Sequence, residues 1–203
     1  VQDPSTLIAV DVLDPQPGES VLDMCAAPGG KTTYIAQKMQ NRGQIIAADS
    51  SSERLGRLTE NCSRLGVNIV TTPAPLRTEL APFRAEWLGG CLRDAEFDRV
   101  LVDAPCSNTG VLRRRVDLRW RIEEKEIARL AALQEKLLAT AARLTRPGGV
   151  LVYSTCSLER EENDRVIERF SGQHLEFTLE TTRSTFPPRD GMDGAFAARF
   201  LRC

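Results

Sequence analysis

Five short runs of apolar residues, rich in Val, Ile and Leu, limit how this chain can fold more than any other feature: "SVLDM" (20–24), "QIIAAD" (44–49), "VNIVTT" (67–72), "FDRVLVDA" (97–104) and "GVLVYST" (149–155). Each has the length of a strand and is bounded by Gly, Pro, Asp or Ser, the pattern of strands buried on both faces. Helical stretches lie between them: "TTYIAQKMQ", "SSERLGRLTENCSRLG" and "EEKEIARLAALQEKLLATAARL". In the last, Leu130, Leu133, Leu137, Ala141 and Leu144 recur at three-to-four spacing and form one apolar face, which reads as core with no cofactor role. Strand and helix in alternation predict an α/β fold, a mostly parallel sheet with helices on both faces. The later segments "LEFTLET" and "GAFAARFLR" alternate well enough to add a hairpin-like edge, bringing the sheet to seven strands.

Composition bounds the rest. The 203 residues read as one domain, with 41% hydrophobic and 27% charged residues, ordinary for a globular protein. No apolar stretch is long enough to span a bilayer, so no membrane partner is expected. A net charge of -1 leaves only a local basic patch for any polyanion. Cys25, Cys62, Cys91, Cys106, Cys156 and Cys203 are far apart and form no CxxC; with His174 as the one histidine, no metal site is expected. The cysteines read as reduced thiols of a cytoplasmic protein, Cys62, Cys91 and Cys203 as buried small hydrophobes, and His174 as structural. Residues 73–96, with Pro73, Pro75, Pro82 and Gly89-Gly90, read as a long irregular connection without a domain boundary. The chain starts at Val1 without a methionine or leader, so it is expected to be an excised part of a longer protein.

Ligands of such sheets bind beyond the carboxyl ends of the strands, and the unusual chemistry of this chain lies there: Asp23 to Gly30, Asp49, the region near Ala74, Asp103 to Ser107, and Ser154 to Ser157. In "LDMCAAPGGKTT", Gly29 and Gly30 allow close backbone approach, and a helix opening near Lys31 offers free amides. A phosphate loop would need glycine where Cys25 stands, and GxGxxG is absent. What remains is a loop able to meet a carboxylate. Asp49, ending the second strand, has the position of an acid that takes ribose hydroxyls, although it or Ser50 or Ser51 could equally cap the next helix. A nucleoside with a carboxylate tail and no phosphate is S-adenosyl-L-methionine.

"DMCAAPGGKT", "DAPCSNTG" and "YSTCS", in that order and with Asp49 between the first two, closely resemble the RsmB/Sun-type RNA 5-methylcytosine methyltransferases, and the likeness runs from "VQDPST" to "DGAFAARF". The resemblance implies a Rossmann-like S-adenosylmethionine-dependent fold, with RNA, ribosomal in type, as partner. It makes Cys156 the nucleophile, Cys106 the group that assists product release, and Asp103 the acid facing base and cofactor. Cys25, Ala26, Ala27, Pro28, Gly29, Gly30 and Lys31 match the cofactor loop, Asp49 the ribose-binding acid, and Arg54 a basic residue near the cofactor. The residues alone place both thiols at strand ends but do not choose between them. Two sulfurs suit the chemistry, because carbon 5 of cytosine becomes nucleophilic once a thiolate adds to carbon 6, and the adduct must later be expelled. The family's adenine-contacting acid is replaced by Ala74, so cofactor affinity is expected to fall by about tenfold, or a neighbouring group substitutes.

Two expectations concern local detail. If Ser157 caps a helix beginning "LEREEN", Cys156 lies near a helix amino end, which favours the thiolate, while Glu159, Glu161 and Glu162 oppose it. The run "RRRVDLRWR" (113–121) offers Arg113, Arg114, Arg115 and Trp120 to phosphates and an unpaired base; the alternative is a solvated charge run with Trp120 turned into the core. Full RNA affinity is expected to need a flanking domain, and the catalytic unit is expected to be a monomer. Two other readings compete, a silent RNA-binding or ribosome-assembly module of the same fold and a phosphate-loop ATPase.

Overall fold

The computed structural model describes residues 3–72 and 96–203. Ala74, Cys91 and nearly all of the irregular connection lie outside the described residues. Five strands, β1 (Ser20–Met24), β2 (Gln44–Ala48), β3 (Val70–Thr71), β4 (Phe97–Asp103) and β5 (Thr145–Thr155), run parallel. Two more, β6 (Phe177–Thr185) and β7 (Ala195–Arg202), form an antiparallel hairpin, and β7 pairs with β5. The sheet order is β3-β2-β1-β4-β5-β7-β6. The chain winds outward from β1 through β3 and returns beside β1 as β4. This reversal opens a crevice above β1 and β4, where ligands of open α/β sheets bind.

Helices α1 (Ile8–Leu13), α2 (Gly30–Lys38) and α3 (Ser52–Arg64) cover one face; α4 (Glu124–Leu144) and α5 (Asp164–Gln173) cover the other, and the short α6 (Pro187–Asp190) follows β6. Alternate residues of each strand feed the two cores. Leu22, Val100, Val102, Leu151 and Tyr153 meet Leu138, Ala141, Val166 and Phe170 on one side. Val21, Ile45, Leu101 and Val152 meet Val10, Leu13 and Ile35 on the other. This two-sided burial explains the nearly unbroken apolar strands in the sequence.

Differences from the sequence reading have local causes. The chain turns off α3 by Val67 N–H donating to Cys62 C=O at 2.9 Å, so the third strand is confined to Val70 and Thr71. No helix begins directly after Ser157, over residues 158–163. Its hydroxyl accepts from Glu159 N–H at 3.0 Å, a local turn, and the chain makes further turns until α5 opens at Asp164. Cys156 therefore does not lie at a helix amino end. Ser51 caps α3 by accepting from Arg54 N–H at 3.3 Å, which leaves Asp49 free of that duty. Cys62 is buried, whereas Cys203, which follows the end of β7, is exposed. His174 stacks on Phe170 with centroids 4.4 Å apart, consistent with packing. Among the described residues no helix is long and apolar enough to cross a membrane.

Candidate active site

The loop leaving β1 is shaped by its contacts with β2 and α3. Ala26 N–H donates to Ala48 C=O at 2.9 Å and Ala27 N–H to Asp49 Oδ2 at 3.0 Å. Gly29 has φ +98°, and a Cβ there would lie 2.8 Å from Leu58 Cγ, so both backbone and space demand glycine. Asp49 also accepts from Ser51 N–H at 3.0 Å, while Arg54 stands 3.6 Å from its carboxylate and donates to Ala27 C=O. One backbone bond on each Asp49 oxygen leaves lone pairs for further donors.

Lys31, read as part of the cofactor loop, crosses to β4 and meets Asp103 Oδ2 at 2.7 Å. Burial works against its charge, but the Asp103 carboxylate outweighs this and raises its pKa, so it stays an ammonium. A phosphate loop needs that lysine free, and here it is paired.

Beneath the loop, Asp23 is fully buried and accepts from the Thr32 hydroxyl at 2.6 Å, with no partner for Oδ1 among the described residues. Burial pushes its pKa up from 3.8 to about 7. A raised carboxyl stabilises the fold fully at low pH, where it is neutral in both states; that contribution is lost as pH climbs towards 7, because only the unfolded chain ionises early. Asp23→Asn lacks this component. Its unfolding free energy relative to the parent should therefore rise by about 2–3 kcal/mol between pH 5 and 8, in urea titrations. A constant difference across that range would remove the assignment.

The two thiol motifs come together. Cys106 Sγ and Cys156 Sγ are 3.3 Å apart. The serine after each cysteine explains how: Ser107 Oγ and Ser157 Oγ lie 3.2 Å apart, one residue behind the sulfurs. Gly110 N–H adds a bond to Cys156 C=O at 2.9 Å, and Gly194 N–H to Gly110 C=O at 2.8 Å. Asn108 Nδ2 donates to Cys106 C=O at 2.7 Å, and Cys156 Sγ donates to Asn108 Oδ1 at 3.0 Å.

Glu162, missed in the sequence as anything but a helix-end charge, holds this arrangement from below. It is 0% exposed and accepts from Ser107 N–H at 2.9 Å, from the Ser107 hydroxyl, and from Gln134 Nε2 at 3.0 Å. Gln134 also donates to Pro105 C=O at 2.9 Å. A polar Gln134 within the apolar face of α4 was the available signal. The apolar face of α4 is core, as its spacing predicts, and its Leu133 and Leu137 also line the cavity.

The thiol pair is electrically unequal. The Cys106 S–H donated to Cys156 lowers the Cys156 pKa, with burial and Asp103 opposing and Lys31 assisting. Cys106 is driven well above the ordinary thiol range by that same contact and by burial.

A cavity of about 540 Å³ joins these parts. Cys25, Ala27, Asp49 and Arg54 line one side; Asp103, Cys106 and Cys156 line the other. Its acceptor at Asp49, small residues at Cys25 and Ala27, and apolar wall at Leu133 and Leu137 fit a nucleoside cofactor of the size such cavities hold. Among the described residues no His, Cys, Asp and Glu cluster gathers as a metal site.

The arginine run divides. Arg113 pairs with Asp3 at 2.7 Å and with Asp193; Arg114 pairs with Asp3 and Asp193, each at 2.6 Å. These two clamp the amino-terminal segment to the loop before β7. Arg115 lines the cavity, and Trp120 is 90% exposed rather than turned into the core.

Sheet order and cavity together define a Rossmann-like methyltransferase fold of the S-adenosylmethionine-dependent class. A family model described as 16S rRNA methyltransferase RsmB/F matches residues 10–201. Ribosomal RNA small subunit methyltransferase B of Erwinia tasmaniensis is 40% identical over 209 residues, covering 100% of this chain and 46% of the relative. Among solved structures, that of PH0851 has TM-score 0.89 and 40% identity, covering 98% of this chain and 46% of that one. NSun6 from Pyrococcus horikoshii with SFG has TM-score 0.85 and 32% identity, covering 99% of this chain and 52% of that one. The chain belongs to the RsmB/F family of 16S rRNA methyltransferases, and it spans about half the length of these relatives.

Proposed function

We propose that this chain is the catalytic part of an S-adenosylmethionine-dependent RNA cytosine-5 methyltransferase, acting on small-subunit ribosomal RNA. The observation that carries the reading is the 3.3 Å approach of two sulfurs in one cavity shared with Asp49 and Asp103. The family and the SFG-bound neighbour, SFG being an S-adenosylmethionine analogue, support the cofactor and substrate class.

Asp49 takes the ribose hydroxyls on its free lone pairs, and the Cys25–Lys31 loop with Arg54 shapes the cofactor side of the cavity. When bound, S-adenosylmethionine supplies an electrophilic methyl group. Cys156 Sγ, as thiolate, forms a bond to carbon 6 of the flipped cytosine, which moves electron density to carbon 5. Asp103, held by Lys31, faces the base and stabilises protonation at nitrogen 3. After methylation the carbon 5 proton passes to water with Cys106 assisting, its bonding pair forms the carbon 5–carbon 6 double bond, and the Cys156–carbon 6 bond breaks to return the thiolate. Arg115 from the cavity wall and the exposed Trp120 contact the RNA, while Arg113 and Arg114 are held by Asp3 and Asp193. The catalytic unit works as a monomer, and flanking sequence supplies most of the RNA affinity.

Mass spectrometry of nucleosides from ribosomal RNA treated with the full-length protein and cofactor should show new 5-methylcytidine. RNA binding without any methylated nucleoside would instead favour an assembly module that keeps the fold without the reaction.

A further inference from the structure

Asn108 is the polar side chain on which the two thiol loops meet at the cavity wall. Its Nδ2 is spoken for by the Cys106 carbonyl at 2.7 Å. Turning the amide over would set two acceptors against each other, so that bond fixes the orientation and leaves Oδ1 facing Cys156 Sγ at 3.0 Å. An amide oxygen only accepts. It stabilises S–H and disfavours S⁻.

We propose that Asn108 is a further catalytic residue, one that holds the Cys156 sulfur as a hydrogen-bond donor until the sulfur turns towards a base in the cavity. The inference rests on Cys156 being the nucleophile of the proposed reaction. It gives the site a guard: without a base in place the nucleophile stays a thiol, and thiols react with stray electrophiles far more slowly than thiolates. The titratable groups facing Cys156 are Cys106 from the loop after β4, Asp103 at the end of β4, and Lys31 from α2. Cys106 and Lys31 favour the thiolate, and Asp103 opposes it. Asn108 adds a neutral contact at 3.0 Å that opposes the thiolate.

The backbone makes the test clean. Asn108 has φ +61°, a conformation glycine adopts freely, so Asn108→Gly deletes the amide without straining the turn. The experiment follows iodoacetamide labelling of Cys156 in the full-length protein against pH, read by peptide mass spectrometry, with neither RNA nor cofactor present. In Asn108→Gly the labelling midpoint should fall by about one pH unit, roughly tenfold faster labelling below the midpoint. An unchanged or higher midpoint overturns the proposal. Cys106 is the internal control. If it labels as fast as Cys156 in the glycine variant, the loop has opened, and Asn108→Asp decides: its midpoint should rise, and one at or below the parent's overturns the proposal. The acid limb of the methyl-transfer rate should move with the labelling midpoint in Asn108→Gly. Because labelling needs no substrate, a shifted midpoint in a protein that never methylates RNA sinks the proposed reaction alone, while normal methylation with an unshifted midpoint sinks the role of Asn108 alone.

Discussion

Cys156→Ser in the full-length protein is expected to lose methyl transfer by at least on the order of 10³-fold, with cofactor binding and folding intact. The exchange alters one atom. A serine hydroxyl at that place has no comparable access to an anionic form, and the Cys106 contact that lowers the pKa of the thiol offers too little to ionise an alcohol. Cys106→Ser should fail differently. The nucleophile remains and the adduct forms, but release slows, so a protein–RNA species should accumulate and survive denaturing electrophoresis. Full turnover in Cys156→Ser would overturn the nucleophile assignment, and an adduct found with Cys156→Ser in place of Cys106→Ser would reverse the two roles.

Glu162→Leu should be the most damaging single change away from the cavity surface. It strands the Ser107 N–H and one Gln134 amide hydrogen, both buried donors aimed at the lost carboxylate, and takes from the Ser107 hydroxyl one of its two partners. Each stranded group carries roughly 1–3 kcal/mol of penalty, so a loss of about 3 kcal/mol or more is expected. In a chain of this size that corresponds to a Tm lower by about 6–12 °C in thermal denaturation. Glu162→Gln keeps the shape and part of the bonding, and should recover much of the stability. A Glu162→Leu protein with parental Tm would show that the carboxylate does not hold the loops together.

The sheet was legible because its strands are buried on both sides, which writes them into the chain as unbroken apolar runs. β1, β2, β4 and β5 and the hairpin of β6 and β7 lie close to where periodicity put them. β3 was overextended because Val67 and Ile69 are apolar for their packing against the core rather than for strand pairing. The strand ends that carry Cys106 and Cys156 were equally visible, since topology alone sends them to one edge. What joins them was not. Glu162 reaches Ser107 across 55 positions, and Gln134 reaches Glu162 across 28, separations at which no local pattern reports a contact. Lys31 illustrates the same limit. Its motif places it in the cofactor loop, but its nearest charge, Asp103, arrives from a strand 72 positions later. Arg113 and Arg114 looked like free cations for the same reason: the Asp3 and Asp193 carboxylates that occupy them come from opposite ends of the chain.

The place of β7 has a temporal consequence. It is inserted between β5 and β6 although it is the last strand to be made, and the glycine just before it braces the turn at Gly110 that backs the thiol pair. A ribosome building this domain therefore releases both cysteines well before their wall exists. Until some 40 further residues have emerged after Cys156, the sheet ends at an open β5 and the Cys156 sulfur lacks its finished setting. The wall behind the two sulfurs is complete only once the hairpin has entered that gap.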